Sequence, residues 1–425
     1  MRYLLIVSLI SLLAACQDPT PTIPVYTTDI DHYWEAYDQI IATDDTAAQE
    51  NFLQTLYLDR ASPGLKKLME VRNYTAEEYL ENINAYPNFW ASIRENTLQA
   101  KTMKNEFQAG FTDLKQLYDC PKPASAYFAI GAFRSGGTAV DSFVLIGGEF
   151  TLADDRVDAT EFPENIRANR IAFFASNPIN DVYGLFVHEF VHTQQEPIPD
   201  YLLGQCLYEG VAEYVSCLAT GTEPDTAVRY GQAHPEAVLA TFEREMFYQN
   251  NQPKWLWSNA PNQFERRDLG YYIGYTISEL YYRQATDKKE AIRELVEIDY
   301  TDTSEVRRVI DASGYLSAPV EELYAAYRMG QPKVVDVQRN QNTFTVTFSE
   351  TMDTRWRNFN FGPSGAAGSM RVASVKGFSD DGLEFTFTVQ PLPIGAKREM
   401  ILGSGFRDES GAGLVPYLIE VLISE

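Results

Sequence analysis

Two histidines and a glutamate near the middle of the chain have the spacing of a catalytic metal site. His188 and His192 are four residues apart in the segment 180–192, so on a helix both imidazoles project from one face and can bind one ion. Glu189 follows the first histidine, and its carboxylate can take a proton from a water bound to that ion. The pattern His-Glu-x-x-His therefore predicts a Zn²⁺ site with Glu189 as general base. A helix that merely carries two histidines is the alternative.

A third ligand is expected because catalytic zinc usually has three protein ligands and a fourth position for water. Glu209 lies 17 positions beyond His192, which leaves room for a loop and the start of a second helix. Glu213 comes one helical turn after Glu209 and faces the same way. We expect Glu213 to accept the distal N–H of a ligating histidine, which fixes its tautomer. The two acids could exchange these roles. Two surface acids on a solvated helix are the other alternative, which fits poorly with the apolar residues around them.

A tyrosine motif, Gly-Tyr-Tyr-Ile-Gly-Tyr, occupies residues 270–275. Tyr271 and Tyr275 are four apart on a predicted helix, where a phenol directed at the metal could donate a hydrogen bond to the oxyanion of a tetrahedral intermediate. Tyr272 could substitute for either. Gly270 and Gly274 would let this helix approach its neighbour closely. Simple packing roles for these tyrosines fit the motif equally well.

Helices and a small β-unit must position these residues. Apolar residues recur at helical spacing from residue 31 to about 120, with a break at the Ala-Ser-Pro-Gly of 61–64. Residues 125–133 and 142–146 are short β-rich runs that flank Ser-Gly-Gly-Thr at 135–138 and indicate a hairpin or a longer strand-loop-strand unit. Helical periodicity returns near Asn180 and continues to about Met329. Asn180 or Asp181 is the expected N-cap of the histidine helix.

The pattern changes again beyond residue 332. Alternating apolar residues indicate strands separated by glycine-rich turns, in runs such as Phe344, Val346, Phe348 and Phe385, Phe387, Val389. A module of about 90 residues with such spacing suits a β-sandwich. Residues 346–353 (Val-Thr-Phe-Ser-Glu-Thr-Met-Asp) and 392–395 (Leu-Pro-Ile-Gly), leading to Asp408, resemble bacterial immunoglobulin-like (Ig-like) domains. A glycan- or surface-binding role for this module is a further hypothesis, although its exposed aromatic candidates are few.

The first residues predict a targeting signal. Arg2 precedes an apolar run over 3–13, which is too short to span a bilayer comfortably, and the run ends in Leu-Ala-Ala-Cys at 13–16. This tetrapeptide resembles the lipobox of bacterial lipoproteins, which implies a lipid anchor on Cys16. An ordinary signal peptide or a short membrane anchor is the alternative. The proline-rich residues after Cys16 predict an extended spacer.

Composition limits the class of partner. The 425 residues, 45% of them hydrophobic, can bury a real core and favour two or three domains. A net charge of −24 argues against nucleic acid, because nucleic-acid binding needs a basic patch. Cys120, Cys206 and Cys217 could form one disulfide or remain free thiols.

Residues 188–192 together with Glu-Gly-x-Ala-Glu at 209–213 resemble gluzincin metallopeptidases, in which the glutamate of the second motif is the third zinc ligand. Residues 30 to about 325 look like an uncharacterised family of zinc-dependent proteases that includes gliding-motility lipoproteins. The lipobox and the 270–275 motif both fit that family. The resemblance implies a mixed α/β peptidase fold, with the metal between two helices and an edge strand nearby.

The sequence thus predicts an α+β, zincin-like domain, mostly helical with a small sheet, followed by an all-β Ig-like sandwich. The expected order is a lipoprotein signal peptide over 1–16, a linker over 17–30, a peptidase domain over 31–330 and the sandwich over 333–425. The expected function is peptide-bond hydrolysis by zinc-bound water. A peptide substrate would add to an edge strand, 127–133 or 143–146.

The expected location is the cell envelope, on the outer membrane, with its face left open. A non-catalytic zinc-binding adaptor of an envelope complex for motility or secretion is the alternative. Against it stands Glu189, which a purely structural metal site does not require.

Overall fold

The computed structural model describes residues 22–119, 121–195, 197–392 and 395–422. Cys16 and the rest of the predicted signal peptide lie outside these ranges, and so does Cys120. About half of the chain is helical and the remainder includes small sheets, which confirms the expected α+β class. In the ranges given, no helix is both long and apolar enough to cross a membrane.

The chain forms two compact units, each assembled from several stretches of sequence. The first comprises Met1–Glu196, Ala212–Pro224 and Ala285–Ile298, and the second comprises Pro197–Val211, Asp225–Gln284 and Asp299–Glu425. The second unit contains helices as well as all the strands beyond residue 330. The expected division near residue 330 is therefore not the division between these two units.

Helices are numbered here in chain order. Those up to residue 192 are α1 Thr28–Ile40, α2 Thr46–Phe52, α3 Pro63–Arg72, α4 Ala76–Ala85, α5 Pro87–Leu98, α6 Lys104–Leu117, α7 Gly148–Thr151, α8 Glu164–Ala175 and α9 Val182–His192. Those that follow are α10 Leu202–Thr220, α11 Thr226–Ala233, α12 Pro235–Glu245, α13 Gln252–Trp255, α14 Leu269–Gln284, α15 Lys288–Glu297, α16 Thr303–Ser313, α17 Val320–Gly330 and α18 Gly365–Gly368. A π-helical turn covers Leu53–Leu58, and 3₁₀ turns cover Gln99–Lys101, Pro178–Asn180 and Gln249–Asn251.

The helical lead-in follows the sequence pattern closely. The predicted break at 61–64 separates the π-helical turn from α3, where Pro63 is in the first turn and the Ser62 hydroxyl accepts the N–H of Leu65 at 3.1 Å. Helix α8 was not expected. Phe174 is its one buried residue, so it lacks the apolar stripe by which a helix is detected in a sequence.

A four-stranded mixed sheet in the first unit lies beside the histidine helix. Its strands are β1 Val25–Tyr26, β2 Ser125–Ala129, β3 Gly137–Val140 and β4 Phe143–Gly147, in the order β1-β2-β4-β3. Strands β1, β2 and β4 are parallel, and β3 is antiparallel to β4. The predicted linker over 17–30 is therefore too long, because β1 and the start of α1 already belong to the folded unit.

The sheet also corrects two predictions about β-structure. The expected turn at 135–138 contains the start of β3, and the tight turn of the hairpin lies instead at Asp141, whose φ is +52°. The proposed edge strands are mostly interior. Strand β4, over 143–147, pairs on both sides, and β2 pairs with β4 along its length and with β1 at its start. The edge strand that contacts α9 is β3.

Two antiparallel sheets in the second unit enclose one apolar core. The strands are β5 Val334–Asn340, β6 Thr343–Phe348, β7 Phe359–Asn360, β8 Val372–Phe378, β9 Glu384–Val389, β10 Lys397–Leu402 and β11 Tyr417–Leu422. One sheet has the order β5-β6-β9-β8 and the other β11-β10-β7. Alternate residues of β6 and β9 point into the core, including Phe344, Val346 and Phe385, which confirms the predicted two-residue period.

Candidate metal centre

Helix α9 carries the histidine pair and is fixed by aromatic packing within the first unit. Phe186 of α9 packs on Phe107 of α6 with ring centroids 4.9 Å apart, and Phe190 packs on Phe111 at 5.0 Å. Asp181 occupies the N-cap position, as expected, but its side chain makes no capping hydrogen bond. The apolar face of α9 is thus buried against α6, which leaves the face with the histidines available for chemistry.

The two imidazoles converge on one point. The Nε2 atoms of His188 and His192 are 3.1 Å apart, and the ring planes are inclined by 83°. Two nitrogens that bind one tetrahedral zinc at 2.0–2.1 Å are about 3.3 Å apart, so the observed separation suits a shared ion. His188 is 6% exposed and His192 is partly exposed.

The outer nitrogens of both rings have oxygen partners. The Nδ1–H of His188 donates to Oε2 of Glu213 at 3.1 Å, and the Nδ1–H of His192 donates to Oε1 of Gln195 at 2.6 Å. In neutral imidazoles these bonds leave the lone pairs on the two Nε2 atoms, which face each other. Two facing lone pairs repel, and a cation between them removes that repulsion. The donor set therefore fits a metal.

Glu209 completes the group. His188, His192 and Glu209 could hold a metal ion, since one ligand atom from each lies within 4.8 Å of the others. Glu209 is 5% exposed and precedes Glu213 by one turn of the continuous helix α10. Because Glu213 contacts the outer nitrogen of His188, the exchange of roles between the two acids does not fit this geometry.

Glu209 is itself held by neighbours in the second unit. Its Oε1 accepts the indole N–H of Trp257 at 3.1 Å, and its carboxylate also accepts a hydrogen bond from the Tyr271 hydroxyl. Burial, followed by the charge of Glu209, raises the pKa of Tyr271 well above its ordinary value, so the phenol keeps its proton. Trp257 is a site residue that sequence reasoning missed.

Glu189 is the buried acid that adjoins the edge strand. Its side chain is 6% exposed, and a Cβ placed on Gly137 of β3 would lie 2.6 Å from its Oε1. A side chain at position 137 would therefore force this carboxylate to shift. The sequence predicts that the Gly-Gly pair at 136–137 belongs to a turn or loop between strands, whereas its second glycine makes room for the predicted general base.

The three tyrosines of the 270–275 motif have different places on α14. Tyr271 contacts Glu209, whereas Tyr275 is partly buried one turn further along. Tyr272 is 3% exposed, and its ring fills the space beside Gly231 of α11, where an added Cβ would meet it at 2.1 Å. Tyr272 thus packs against α11, and its suggested substitution for either of the others stays a prediction.

The glycines of the motif bring two helices into backbone contact, as predicted. A Cβ on Gly274 of α14 would lie 1.8 Å from the carbonyl oxygen of Cys206, and a Cβ on Gly210 of α10 would lie 2.1 Å from the carbonyl carbon of Gly274. A Cβ on Gly270 would instead meet side-chain atoms, the Cδ2 of Leu256 at 2.7 Å and the sulfur of Cys206 at 2.8 Å. This crossing sets Glu209 beside Tyr271.

The cysteines near the centre are free thiols. Cys206 is buried and Cys217 is partly buried. Burial raises the pKa of Cys217 to about 12 and that of Cys206 well above its ordinary value, so both stay protonated and neither offers a thiolate ligand.

Comparison with known proteins yields no family. No family model and no curated protein matches the chain. Two solved structures match it: the N-terminal part of the bacterial S-layer protein SbsC, at 14% identity over 94% of this chain and 77% of that one, and the S-layer protein rSbsC(31-844), at 12% identity over 94% and 45%. Their TM-scores of 0.20 and 0.19 are too low for either structure to bear on fold or function.

Proposed function

We propose that this protein is a zinc-dependent peptidase of the gluzincin type. The observation that carries the proposal is the pair of inward-facing Nε2 atoms of His188 and His192, 3.1 Å apart, each ring oriented by an acceptor at Nδ1. A structural site needs no buried acid beside its ligands, whereas hydrolysis needs a general base, and Glu189 is buried next to the first histidine.

The roles of the side chains follow from their contacts. His188, His192 and Glu209 would hold the ion, and Glu213 and Gln195 would keep the histidines in the tautomer that presents Nε2. Zinc would supply Lewis acidity towards the scissile carbonyl and lower the pKa of a coordinated water. Glu189 would accept a proton from the attacking water and return it to the leaving amine.

Tyr271 is the better placed of the two predicted tyrosines for oxyanion stabilisation. Its hydroxyl keeps its proton and hydrogen-bonds the ligand Glu209, so a modest rearrangement on substrate binding could turn the donor towards a developing oxyanion. Tyr275 stays a second candidate for the same role.

The edge strand β3 is the proposed docking strand for an extended peptide. It lies at the edge of its sheet, and Gly137 at its start touches Glu189. A peptide paired with the free side of β3 would have its backbone beside the general base, and its main chain would provide sequence-tolerant affinity. This strand takes the place of the two stretches expected from the sequence.

The finer fold assignments belong to the same proposal. A mixed sheet whose antiparallel edge strand adjoins the His-Glu-x-x-His helix supports a zincin-like fold. In the β-sandwich, naming β5 to β11 as strands A to G gives the sheet orders A-B-E-D and G-F-C. These are the orders of an immunoglobulin constant-type domain, which supports an Ig-like module.

We further propose that the protein is an outer-membrane lipoprotein anchored through Cys16, acting on peptide or protein substrates in the cell envelope. The support is the Leu-Ala-Ala-Cys sequence at 13–16. Replacement of Cys16 by serine should release the protein from the membrane fraction. A lipid-independent membrane association of that variant would contradict the anchor.

The decisive experiment measures zinc per chain by elemental analysis in wild type, Glu209→Ala and Glu189→Gln. We expect one zinc in wild type, one in Glu189→Gln and little in Glu209→Ala. Each variant removes one buried carboxyl group close to the histidines. Peptide-library cleavage should then be present in wild type and lost in Glu189→Gln. Zinc binding without any cleavage would favour the adaptor, and no zinc in wild type would overturn the metal site.

A further inference from the structure

Trp257 has an exposed side chain and an unusual backbone conformation. It lies in the segment between α13 and α14, and 41% of its side chain is exposed. Its φ is +56°, in the left-handed region that a bulky L-residue seldom adopts. Because the residue is only partly buried, packing leaves room for a further interaction that also holds its backbone in this conformation.

Two hydrogen bonds provide that interaction. The Trp257 backbone N–H donates to Oδ1 of Asp268 at 2.6 Å, a bond that closes the segment 257–268 on itself. The indole N–H donates to Oε1 of Glu209 at 3.1 Å. Tyr271 hydrogen-bonds both the Glu209 carboxylate and Trp257, so the three side chains form one connected group within the second unit.

The geometry points to Trp257 as a positioning residue for the metal ligand Glu209, an inference that rests on the proposed zinc site. A carboxylate on a helix can rotate about several bonds, and ordering those rotations is part of the cost of binding an ion. The indole N–H and the Tyr271 hydroxyl restrict Glu209 before the ion arrives. Partners of this kind orient metal ligands, and their loss commonly weakens metal binding by about 10–100-fold.

Asp268 acts one step further away. It accepts the backbone N–H of Trp257 and so fixes the backbone from which the indole reaches Glu209. Asp268 also has a φ of +62° and pairs with Arg267, so both ends of the segment are held in the left-handed region. The structure therefore assigns the segment 257–268 to the support of the metal centre.

The test compares Trp257→Phe with Trp356→Phe in the full chain. Phenylalanine keeps an aromatic ring and removes the N–H. Trp356 is a matched control because it is 47% exposed and packs on Arg407, in the β-sandwich. We expect the zinc affinity, measured by chelator competition, to fall by about 10–100-fold in Trp257→Phe and to stay unchanged in Trp356→Phe.

Tryptophan fluorescence gives a second readout that does not depend on activity. Co²⁺ titrated into the zinc-free protein should quench emission in wild type and in Trp356→Phe, and most of that quenching should disappear in Trp257→Phe. Asp268→Ala should also lower the zinc affinity, and it should have no further effect when combined with Trp257→Phe. Melting temperatures show whether each variant is folded.

The outcomes separate this inference from the proposed function. Wild-type zinc affinity in a folded Trp257→Phe protein overturns the role of Trp257 while the zinc site stands. If Trp257→Phe does not fold, undiminished quenching by Co²⁺ in Trp356→Phe together with weakened zinc binding in Asp268→Ala supports the role, and failure of either overturns it. Absence of zinc from wild type overturns the proposed function itself.

Discussion

Gly137→Ala would displace the proposed general base without touching a metal ligand. The new Cβ would lie 2.6 Å from Oε1 of Glu189 and 3.0 Å from its Cγ, whereas ordinary contacts begin at 3.4 Å. The carboxylate must therefore retreat by about 0.8 Å, the difference between 3.4 and 2.6 Å. Glu189 is buried, so the space into which it can move is limited.

The size of the effect follows from the displacement. A misplacement of about 1 Å in a reacting group can cost roughly 100-fold in rate, which corresponds to about 2.7 kcal/mol in the activation free energy. We expect kcat/KM to fall by about that factor and the zinc content to stay at the wild-type level. The adjacent glycine provides a matched control, because a Cβ on Gly136 would lie 3.3 Å from the Thr151 methyl and 3.8 Å from the Phe150 Cβ, and Glu189 is not among its neighbours.

The assay is the initial rate of cleavage of a peptide selected from a library with the wild-type protein, alongside zinc analysis and thermal melting. Gly136→Ala should keep near wild-type rates. Full activity in a zinc-loaded Gly137→Ala protein would refute the reasoning, because the carboxylate could not then be both the base and the group that requires glycine at 137. An equal loss in Gly136→Ala would show that the strand, rather than Glu189, is being disturbed.

Two further predictions concern stability. Gly274→Ala places a Cβ 1.8 Å from the backbone oxygen of Cys206. We therefore expect the free energy of unfolding, measured in urea, to fall by about 1–3 kcal/mol or more. An unchanged midpoint of the urea transition would disprove the backbone contact. Glu149 is fully buried and accepts the N–H of Gly131 at 2.8 Å and of Phe133 at 3.2 Å, and burial raises its pKa to about 7. Because the pKa is higher in the folded state than the ordinary 4.5, folding favours the protonated acid, and this stability is present below pH 4.5 and lost as the pH rises through about 7. The loss should amount to roughly 3 kcal/mol and be absent in Glu149→Gln, as urea titrations at several pH values can check.

The placement of the candidate metal ligands on shared helix faces was predictable because helical spacing is local. His192 lies four positions after His188, and Glu213 lies four positions after Glu209. Each pair therefore shares a face wherever the helix lies. The close contact of α10 with α14 was also predictable from Gly274, since a glycine inside a helix usually has a packing reason.

The parts of the site that the sequence did not predict depend on contacts between residues far apart in the chain or outside regular elements. Trp257 meets Glu209 across 48 residues and lies outside any periodic element, so no pattern marks it. Gln195 follows His192 by three residues just beyond α9, and extension of the helical spacing could have identified it. Strand β3 was missed because its glycine resembles a turn residue, and β1 was missed because it has two residues.

The contact between Gly210 and Gly274 lies close to two candidate site residues, Glu209 and Tyr271, along their helices. If the two helices rocked by 10° about that point, a residue would move in proportion to its distance from it along the helix. At 1.5 Å per residue, the backbone of Glu209 would shift by about 0.3 Å and that of Tyr271 by about 0.8 Å, whereas Gln284 at the end of α14 would swing by about 2.6 Å. Glu209 and Tyr271 would therefore keep nearly the same positions during motions that displace the far ends of their helices.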